Sequence, residues 1–134
     1  MITYSIDQTP EIEKIINLYK RAPLNRPDDR RRMELMVQHA NIKVAAWDGP
    51  RLVGFLRGFT DYCFDCYIND LAVDPDYQGQ GIGSNLLSHT KKLLAEGTLI
   101  FLIAAPDAVP FYRKLGYKNF ISVEDTWYLK VTPE

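Results

Sequence analysis

The sequence has little of what marks several large classes of protein. Its 134 residues include only two cysteines, Cys63 and Cys66, which cannot hold a small secreted domain together through disulfide bonds. The 16 basic and 17 acidic residues leave a net charge of −1, without the basic excess that coating nucleic acid or an anionic membrane requires. The longest uncharged apolar run, Leu99 to Ala105, is far too short to span a bilayer. We therefore expect neither a nucleic-acid partner nor a membrane.

What remains is the composition of a folded globular protein. Apolar residues make up 46% of the chain and charged residues 25%, which is ordinary for a domain with a hydrophobic core. The length suits one domain over residues 1–134. The N-terminus, Met1 to Tyr4, has neither the basic nor the apolar region of a signal peptide. We expect a cytoplasmic protein.

The hydrophobic pattern predicts alternating strands and helices. Proline, glycine and aspartate mark their ends. The predicted elements are a strand over 2–6, a helix opening at Thr9-Pro10 and ending near Arg21, a helix opened by Asp28-Asp29, strands over 42–47, 52–59 and 66–73, a helix over about 81–96, a buried strand over 98–105, a short helix capped by Asp107 and stopped by Gly116, and a last strand over 127–131. This order predicts an α/β (α+β) fold, a mixed sheet with helices on its faces.

The most informative stretch is a glycine-rich loop between a strand and a helix. The strand ends at Val73, and Gly79, Gly81 and Gly83 precede or open the helix. Glycine allows tight turns and close approach of a ligand to the main chain. The first amides of a helix have no partner in the helix and carry partial positive charge, so the loop suits a phosphate or pyrophosphate. The alternative is a plain strand-to-helix turn that uses glycine for geometry alone.

In this stretch the sequence resembles the GCN5-related N-acetyltransferase (GNAT) superfamily. Residues 78–83 match its acetyl-CoA signature, Gln/Arg-x-x-Gly-x-Gly/Ala, without a gap, and residues 71–75 before them are typical of it. A second match, to the family's motif B, covers residues 111–117. The resemblance implies a mixed, mostly antiparallel central sheet with helices on both faces. It also implies acetyl-CoA as co-substrate and an amine acceptor.

The same resemblance implies roles for individual residues. The amides of 78–84 would hold the CoA pyrophosphate, and the main chain of Leu71 and Val73 would pair with the pantetheine arm. The Leu71 amide is the implied donor to the thioester carbonyl, and the Tyr112 hydroxyl is the implied proton donor to the leaving thiolate. Tyr112 could instead only pack its ring on the sheet. The implied cofactor-binding residues are Leu71, Ala72, Val73, Gln78, Gly79, Gln80, Gly81, Ile82, Gly83, Ser84, Phe111 and Tyr112.

The general base is left open by the sequence. An amine like that of lysine has a pKa near 10, so a base should help to remove its proton. In the family the base is often a glutamate, or a water held by strand residues, at about the position of residues 67–70. Asp70 is the nearest carboxylate to that position and is therefore the candidate base. It could equally be a structural hydrogen-bond acceptor, and Tyr67 and Asn69 could hold a water that acts as the base.

Three other features carry expectations of their own. The Cys63-x-x-Cys66 spacing invites a redox or zinc site, but a tetrahedral zinc needs four ligands and we expect no metal. Arg30 to Arg32 reads as a solvated helix face beside two acids. Residues 24–29 form the segment between the first two helices. In the family this segment commonly forms a wall of the acceptor site, so these residues are the expected substrate contact.

We therefore predict an N-acetyltransferase that moves acetyl from acetyl-CoA to a primary amine by direct attack in a ternary complex. The single small domain favours a small-molecule acceptor. The alternative is a non-catalytic CoA-binding sensor or interaction module on the same fold. Homodimers are common in the resembled family, and a homodimer is the expected assembly.

Overall fold

The described residues contain one five-stranded sheet and four α-helices. A computed structural model describes residues 1–22, 24–119 and 127–133. Its strands are β1 (Ile2–Ser5), β2 (Ile42–Asp48), β3 (Arg51–Thr60), β4 (Asp65–Val73) and β5 (Leu99–Phe101). Its α-helices are α1 (Ile12–Arg21), α2 (Arg30–His39), α3 (Ile82–Lys92) and α4 (Val109–Lys114). The described chain falls into two compact units, residues 1–103 and 104–134, so the expectation of one domain stays a prediction.

The sheet is mixed and mostly antiparallel, as expected. The strands lie in sequence order, and β1 to β4 pair antiparallel. Only β5 runs parallel to its neighbour, β4. Helices α1 and α2 cover one face, where Phe55 packs with Ala45 and Ala72 of the adjacent strands. Their apolar residues in this core are Ile15, Leu18, Tyr19, Met33 and Val37.

Helix α3 covers the other face, close to the strands. Gly54 makes this possible, because a Cβ there would lie 3.0 Å from Ile82 Cγ2 and 3.1 Å from Leu86 Cδ1. Ile82 and Leu86 are buried in the first two turns of α3. The glycine thus allows the start of α3 to pack directly on the sheet. Among the helices of the described ranges, none combines the length and apolar character needed to cross a bilayer.

Most predicted elements are present, with shifted ends. Helix α1 begins at Ile12 with Glu11 as its N-cap, two residues later than the Thr9-Pro10 signal indicates. Its end at Arg21 is as predicted, although Pro23 itself lies outside the described residues. Asp29 caps α2 by accepting a hydrogen bond from the Arg32 amide at 3.1 Å. Helix α3 stops at Lys92, four residues short of the predicted end.

The prediction for the C-terminal third of the chain is wrong in three places. The strand predicted over 98–105 spans only Leu99–Phe101 and is not buried, because it pairs over three residues and on one edge. Asp107 does not cap a helix: it lies within the short 3₁₀ turn Pro106–Ala108. Residues 127–131 form no strand in the described structure although they are rich in strand formers, since β-propensity acts only where a partner strand pairs.

Candidate functional site

The glycine loop has the backbone geometry of an anion site. Gly79 and Gly81 both have φ of +80°, in the left-handed region that favours glycine. Gly81 is the N-cap of α3, so the amides of Ile82, Gly83 and Ser84 belong to its unpaired first turn. Gln78 to Gly81 are exposed. The exposed loop therefore leads directly into the unpaired amides at the positive end of a helix dipole.

A second feature is the open edge of β4. The parallel pairing with β5 covers only Asp65 to Tyr67, so residues 68–73 have no partner strand on that side among the described residues. The Asp74 amide donates to the Val53 carbonyl of β3 at 2.8 Å. Because amide direction alternates along a strand, the amides of Leu71 and Val73 point away from β3, towards the open edge. This edge can accept an extended ligand as an added strand.

A bulge in β4 determines where Asp70 lies. Arg57 pairs with Asp70 and Gly58 with Ile68, so Asn69 is the extra residue. Asp70 lies on the face covered by α1 and is 2% exposed. Its Oδ2 accepts from Arg57 Nε at 2.6 Å and from the Tyr19 hydroxyl at 2.8 Å. Its Oδ1 accepts from Nε of Arg26 at 3.0 Å and also from Nη2 of Arg26.

This environment favours the structural interpretation of Asp70. Burial raises the pKa of Asp70, but the hydrogen bonds and charges of Arg57 and Arg26 outweigh it and hold the pKa below its ordinary value. Burial and the charge of Asp70 raise the pKa of Tyr19, which therefore stays a donor. A carboxylate that already accepts four hydrogen bonds and resists protonation is poorly suited to take a proton from an amine. The catalytic role of Asp70 remains a prediction, and this geometry does not support it.

The bulge also positions Asn69, which together with Tyr67 was the alternative to Asp70: these two residues could hold a water that acts as the base. Asn69 Oδ1 is buried and has no hydrogen-bond partner in the described part of the chain. The Asn69 carbonyl accepts from Arg26 Nη2 at 3.3 Å, which fixes the backbone there. Tyr67 is half-buried, and its ring stacks on Phe101 with centroids 5.0 Å apart. The Asn69 oxygen is thus an available acceptor for a water.

The unit formed by residues 104–134 contains the second set of predicted residues. Phe111 and Tyr112 lie in α4, with ring centroids 5.0 Å apart in an edge-on arrangement. Burial, together with Tyr117, raises the pKa of Tyr112 to about 12. Its hydroxyl therefore stays protonated at neutral pH and can donate. Gly116 ends the helix with a φ of +92°, as predicted.

The comparisons with known proteins agree with this fold. The model of the acetyltransferase (GNAT) family matches residues 9–117, most of the chain. The chain belongs to this family.

Similar members of the family cover different shares of the chain. The uncharacterised N-acetyltransferase ycf52 of Porphyra purpurea is 35% identical over an alignment of 117 positions that covers 78% of this chain and 66% of that protein. The ycf52 protein of Pyropia yezoensis is 42% identical over 69 residues, 50% of this chain and 40% of that protein. This chain therefore spans about two thirds or less of the length of these relatives. A solved GNAT acetyltransferase from Streptococcus pneumoniae is 28% identical, with a TM-score of 0.81 and full coverage of both chains.

In this GNAT protein, the two cysteines, His89 and Arg30 have the following surroundings. Cys63 is exposed and Cys66 is buried, so the two lie in different environments, and burial raises the pKa of the Cys66 thiol. His89 stacks on Tyr4 with centroids 4.7 Å apart. Arg30 pairs with Glu13 and Glu34 on the exposed face of α2. The described residues contain no group of three or more candidate metal ligands.

The expected acceptor segment lines a small cavity between α1 and α2. The cavity has a volume of about 100 Å³. It is lined by Ile16, Tyr19, Lys20, Leu24, Arg26, Pro27, Asp28, Asp29 and Met33. Arg26 joins this segment to Asp70, and the exposed Lys20 lies 3.9 Å from Asp28. The cavity thus has both an acidic and a basic rim.

Sequence reasoning missed the arginines of the site. Arg57 and Arg26 hold Asp70, and Arg21 and Arg51 hold Asp74. Each pair joins residues 13 to 53 positions apart. No local sequence pattern predicts pairs between residues so far apart in the chain. The one signal that could have marked Arg57 as paired was an arginine inside a predicted strand of mostly apolar residues, which the structure shows to be buried over residues 52–58.

Proposed function

We propose that this protein transfers an acetyl group from acetyl-CoA to a primary amine, with a small molecule as the favoured acceptor. The observation that carries the proposal is the glycine loop at the start of α3. Gly79 and Gly81 have left-handed φ, residues 78–81 are exposed, and the unpaired first amides of α3 follow directly after them. Family membership supports the same reading of the loop as a pyrophosphate site.

The reaction we propose is direct attack in a ternary complex. The amine nitrogen forms a bond to the acetyl carbon, the bond from that carbon to sulfur breaks, and the thiolate leaves and takes up a proton. The Leu71 amide would stabilise the charge that develops on the carbonyl oxygen, an interaction worth about 3 kcal/mol. The orientation of this amide towards the open edge of β4 supports that role.

The proton movements use two other residues. Tyr112, protonated at neutral pH, would donate to the leaving thiolate. A water held by Asn69 Oδ1 would take the proton from the amine, because Asp70 already accepts hydrogen bonds from Tyr19, Arg26 and Arg57. The acceptor would lie against residues 24–29. A cytoplasmic location and a homodimer complete the proposal, and sedimentation velocity tests the second.

Calorimetric titration with acetyl-CoA and CoA tests the cofactor site. The wild type should bind at micromolar concentration, and Gly81→Glu should abolish binding because the new side chain enters the loop. Gly97→Glu is the matched control. It replaces a glycine of φ +87° in open surroundings, outside the loop, with the same residue, and it should bind like the wild type. A wild type that binds neither ligand would overturn the proposal.

A panel of amines then tests the transfer itself, with thiol release as the readout. Small amines, amino acids and lysine-containing peptides should be compared at equal concentration. Release that depends on a small amine supports the proposal as stated. Release only with a peptide would contradict the favoured acceptor, and binding without release from any amine would favour the sensor alternative.

A further inference from the structure

Asp74 lies where strand β4 ends and the glycine loop begins. Its carboxylate is 2% exposed and accepts four hydrogen bonds. Oδ1 accepts from Arg21 Nη2 at 3.0 Å and from the Asp76 amide at 2.9 Å. Oδ2 accepts from Arg21 Nε at 3.0 Å and from Arg51 Nη2 at 2.9 Å. This one side chain therefore joins α1, β3 and the turn of residues 75–77, which leads into the glycine loop.

Arg21 contributes two of these four hydrogen bonds, more than any other residue. It is the last residue of α1, and its two parallel hydrogen bonds to Asp74 have the bidentate geometry that only arginine provides. Its Nη2 also donates to Asp76 at 2.9 Å. The two arginines and two aspartates of this cluster (Arg21, Arg51, Asp74 and Asp76) balance in charge. Arg21 is thus committed to carboxylates and adds no net charge to attract a phosphate.

The turn that follows also has contacts with β2 and β3. Residues Pro75–Tyr77 form a 3₁₀ turn, and the Tyr77 hydroxyl donates to Asp48 Oδ2 at 2.6 Å. The Arg51 guanidinium lies 5.1 Å from the centroid of the Tyr77 ring. Gln78, the first residue of the anion loop, comes directly after this turn. Any displacement of the turn would displace the loop amides with it.

We propose that Arg21 is a positioning residue for acetyl-CoA: through Asp74 it holds the turn Pro75–Tyr77 so that the amides of residues 78–84 are arranged before the pyrophosphate binds. A loop ordered in advance loses less conformational entropy on binding, so the ligand binds more tightly. The inference rests on the proposed function, because it assigns to Arg21 a role in binding the same co-substrate.

The first test compares two arginine-to-glutamine variants by calorimetric titration with CoA. Arg21→Gln should raise the Kd about tenfold, which corresponds to about 1.4 kcal/mol. Arg31→Gln is the matched control, since Arg31 is 73% exposed and lies 3.8 Å from Glu34. It should leave the Kd within about twofold of the wild type.

A ligand series separates positioning from a general loss of structure. 3′-Dephospho-CoA keeps the pyrophosphate, so Arg21→Gln should weaken its binding by the same factor as that of CoA. S-acetylpantetheine lacks the pyrophosphate, and NMR titration should give the same affinity for the variant and the wild type. Equal weakening of all three ligands would overturn the proposal, because it would indicate damage to the whole site.

The double variant shows whether Arg21 acts through Asp74. Asp74→Asn alone should also weaken CoA binding, and the double variant Arg21→Gln/Asp74→Asn should be no weaker than the worse single variant. Additive losses would indicate direct contact of Arg21 with the ligand and would overturn the proposal.

Further results distinguish failure of the variant to fold, failure of the role proposed for Arg21, and failure of the proposed function. If Arg21→Gln does not fold, Arg21→Lys keeps the charge but loses the bidentate bonds, and it should still weaken CoA binding measurably. A folded Arg21 variant that binds CoA like the wild type overturns the role of Arg21 alone. A wild type that does not bind CoA overturns the proposed function and this inference with it.

Discussion

Arg57 Nε and Asp70 Oδ2 lie 2.6 Å apart across strands β3 and β4, and both side chains are at most 5% exposed. A buried pair of this kind is costly to break from one side, because the remaining charge has no counter-charge and no water. Asp70 also holds Tyr19 of α1 and Arg26 of the acceptor segment. Three separate parts of the chain thus depend on one carboxylate.

Asp70→Asn should therefore destabilise the protein strongly. We expect a loss of about 3–5 kcal/mol in the free energy of unfolding, measured by urea denaturation, because Arg57 is left buried without its carboxylate. Asp28→Asn is the control, since Asp28 is 86% exposed and lies 3.9 Å from Lys20; its cost should be about 0–1 kcal/mol. Full stability of Asp70→Asn with loss of activity would instead assign Asp70 the role of base.

Acid should destabilise the protein through Asp74. The hydrogen bonds of Arg21 are the main cause that lowers its pKa to about 2 in the folded protein, against about 3.9 in an unfolded chain. The unfolded chain takes up the proton first, so the stabilisation is complete above about pH 4 and is lost as the pH falls towards 2. Urea midpoints at pH 5 and pH 3 should differ less in Asp74→Asn than in the wild type. An equal difference in both proteins would show that Asp74 does not contribute.

Gly58→Ala should disturb the bulge in β4. A Cβ at position 58 would lie 2.7 Å from the Tyr67 carbonyl oxygen, which belongs to the backbone and cannot rotate away. We expect a loss of about 1–3 kcal/mol in the free energy of unfolding. Amide hydrogen exchange should become faster at Tyr67 and Ile68. Unchanged stability and exchange would mean that the bulge tolerates a side chain at this position.

Tyr112→Phe should separate the enzyme from the sensor alternative. If Tyr112 donates the proton to the thiolate, kcat should fall by at least about tenfold with the affinity for acetyl-CoA little changed. Tyr128→Phe, at a residue that is 95% exposed in the same compact unit, is the control and should leave kcat unaltered. A kcat of Tyr112→Phe within twofold of the wild type would remove the acid role.

The parts of the site that could be predicted from sequence are those encoded locally. Gly79 and Gly81 adopt left-handed φ at low cost because glycine has no Cβ, and their spacing is visible in the sequence. The same holds for the end of α4 at Gly116. By contrast, the partners of Asp70 depend on a bulge at Asn69 that shifts the register of two strands. A one-residue shift in register changes which side chains meet, and no local pattern records it.

The errors near the C-terminus have a related cause. Residues 127–131 have the composition of a strand, yet a strand forms only where hydrogen-bond partners are available, and these depend on the rest of the fold. Asp107 resembles an N-cap in sequence, but Pro106 opens a 3₁₀ turn that takes the place of the expected helix start.

The close packing of α3 on Gly54 suggests a way to change the distance between this helix and the sheet by substitution. The distance between the helix and the sheet depends on the absence of a single side chain, since Ile82, Leu86 and Ala46 all lie within 3.2 Å of where its Cβ would be. Alanine, then serine, at position 54 would enlarge this spacing in small steps while every residue of the loop and of α4 stayed the same. Such a series would measure how the affinity for CoA depends on the distance between α3 and the sheet.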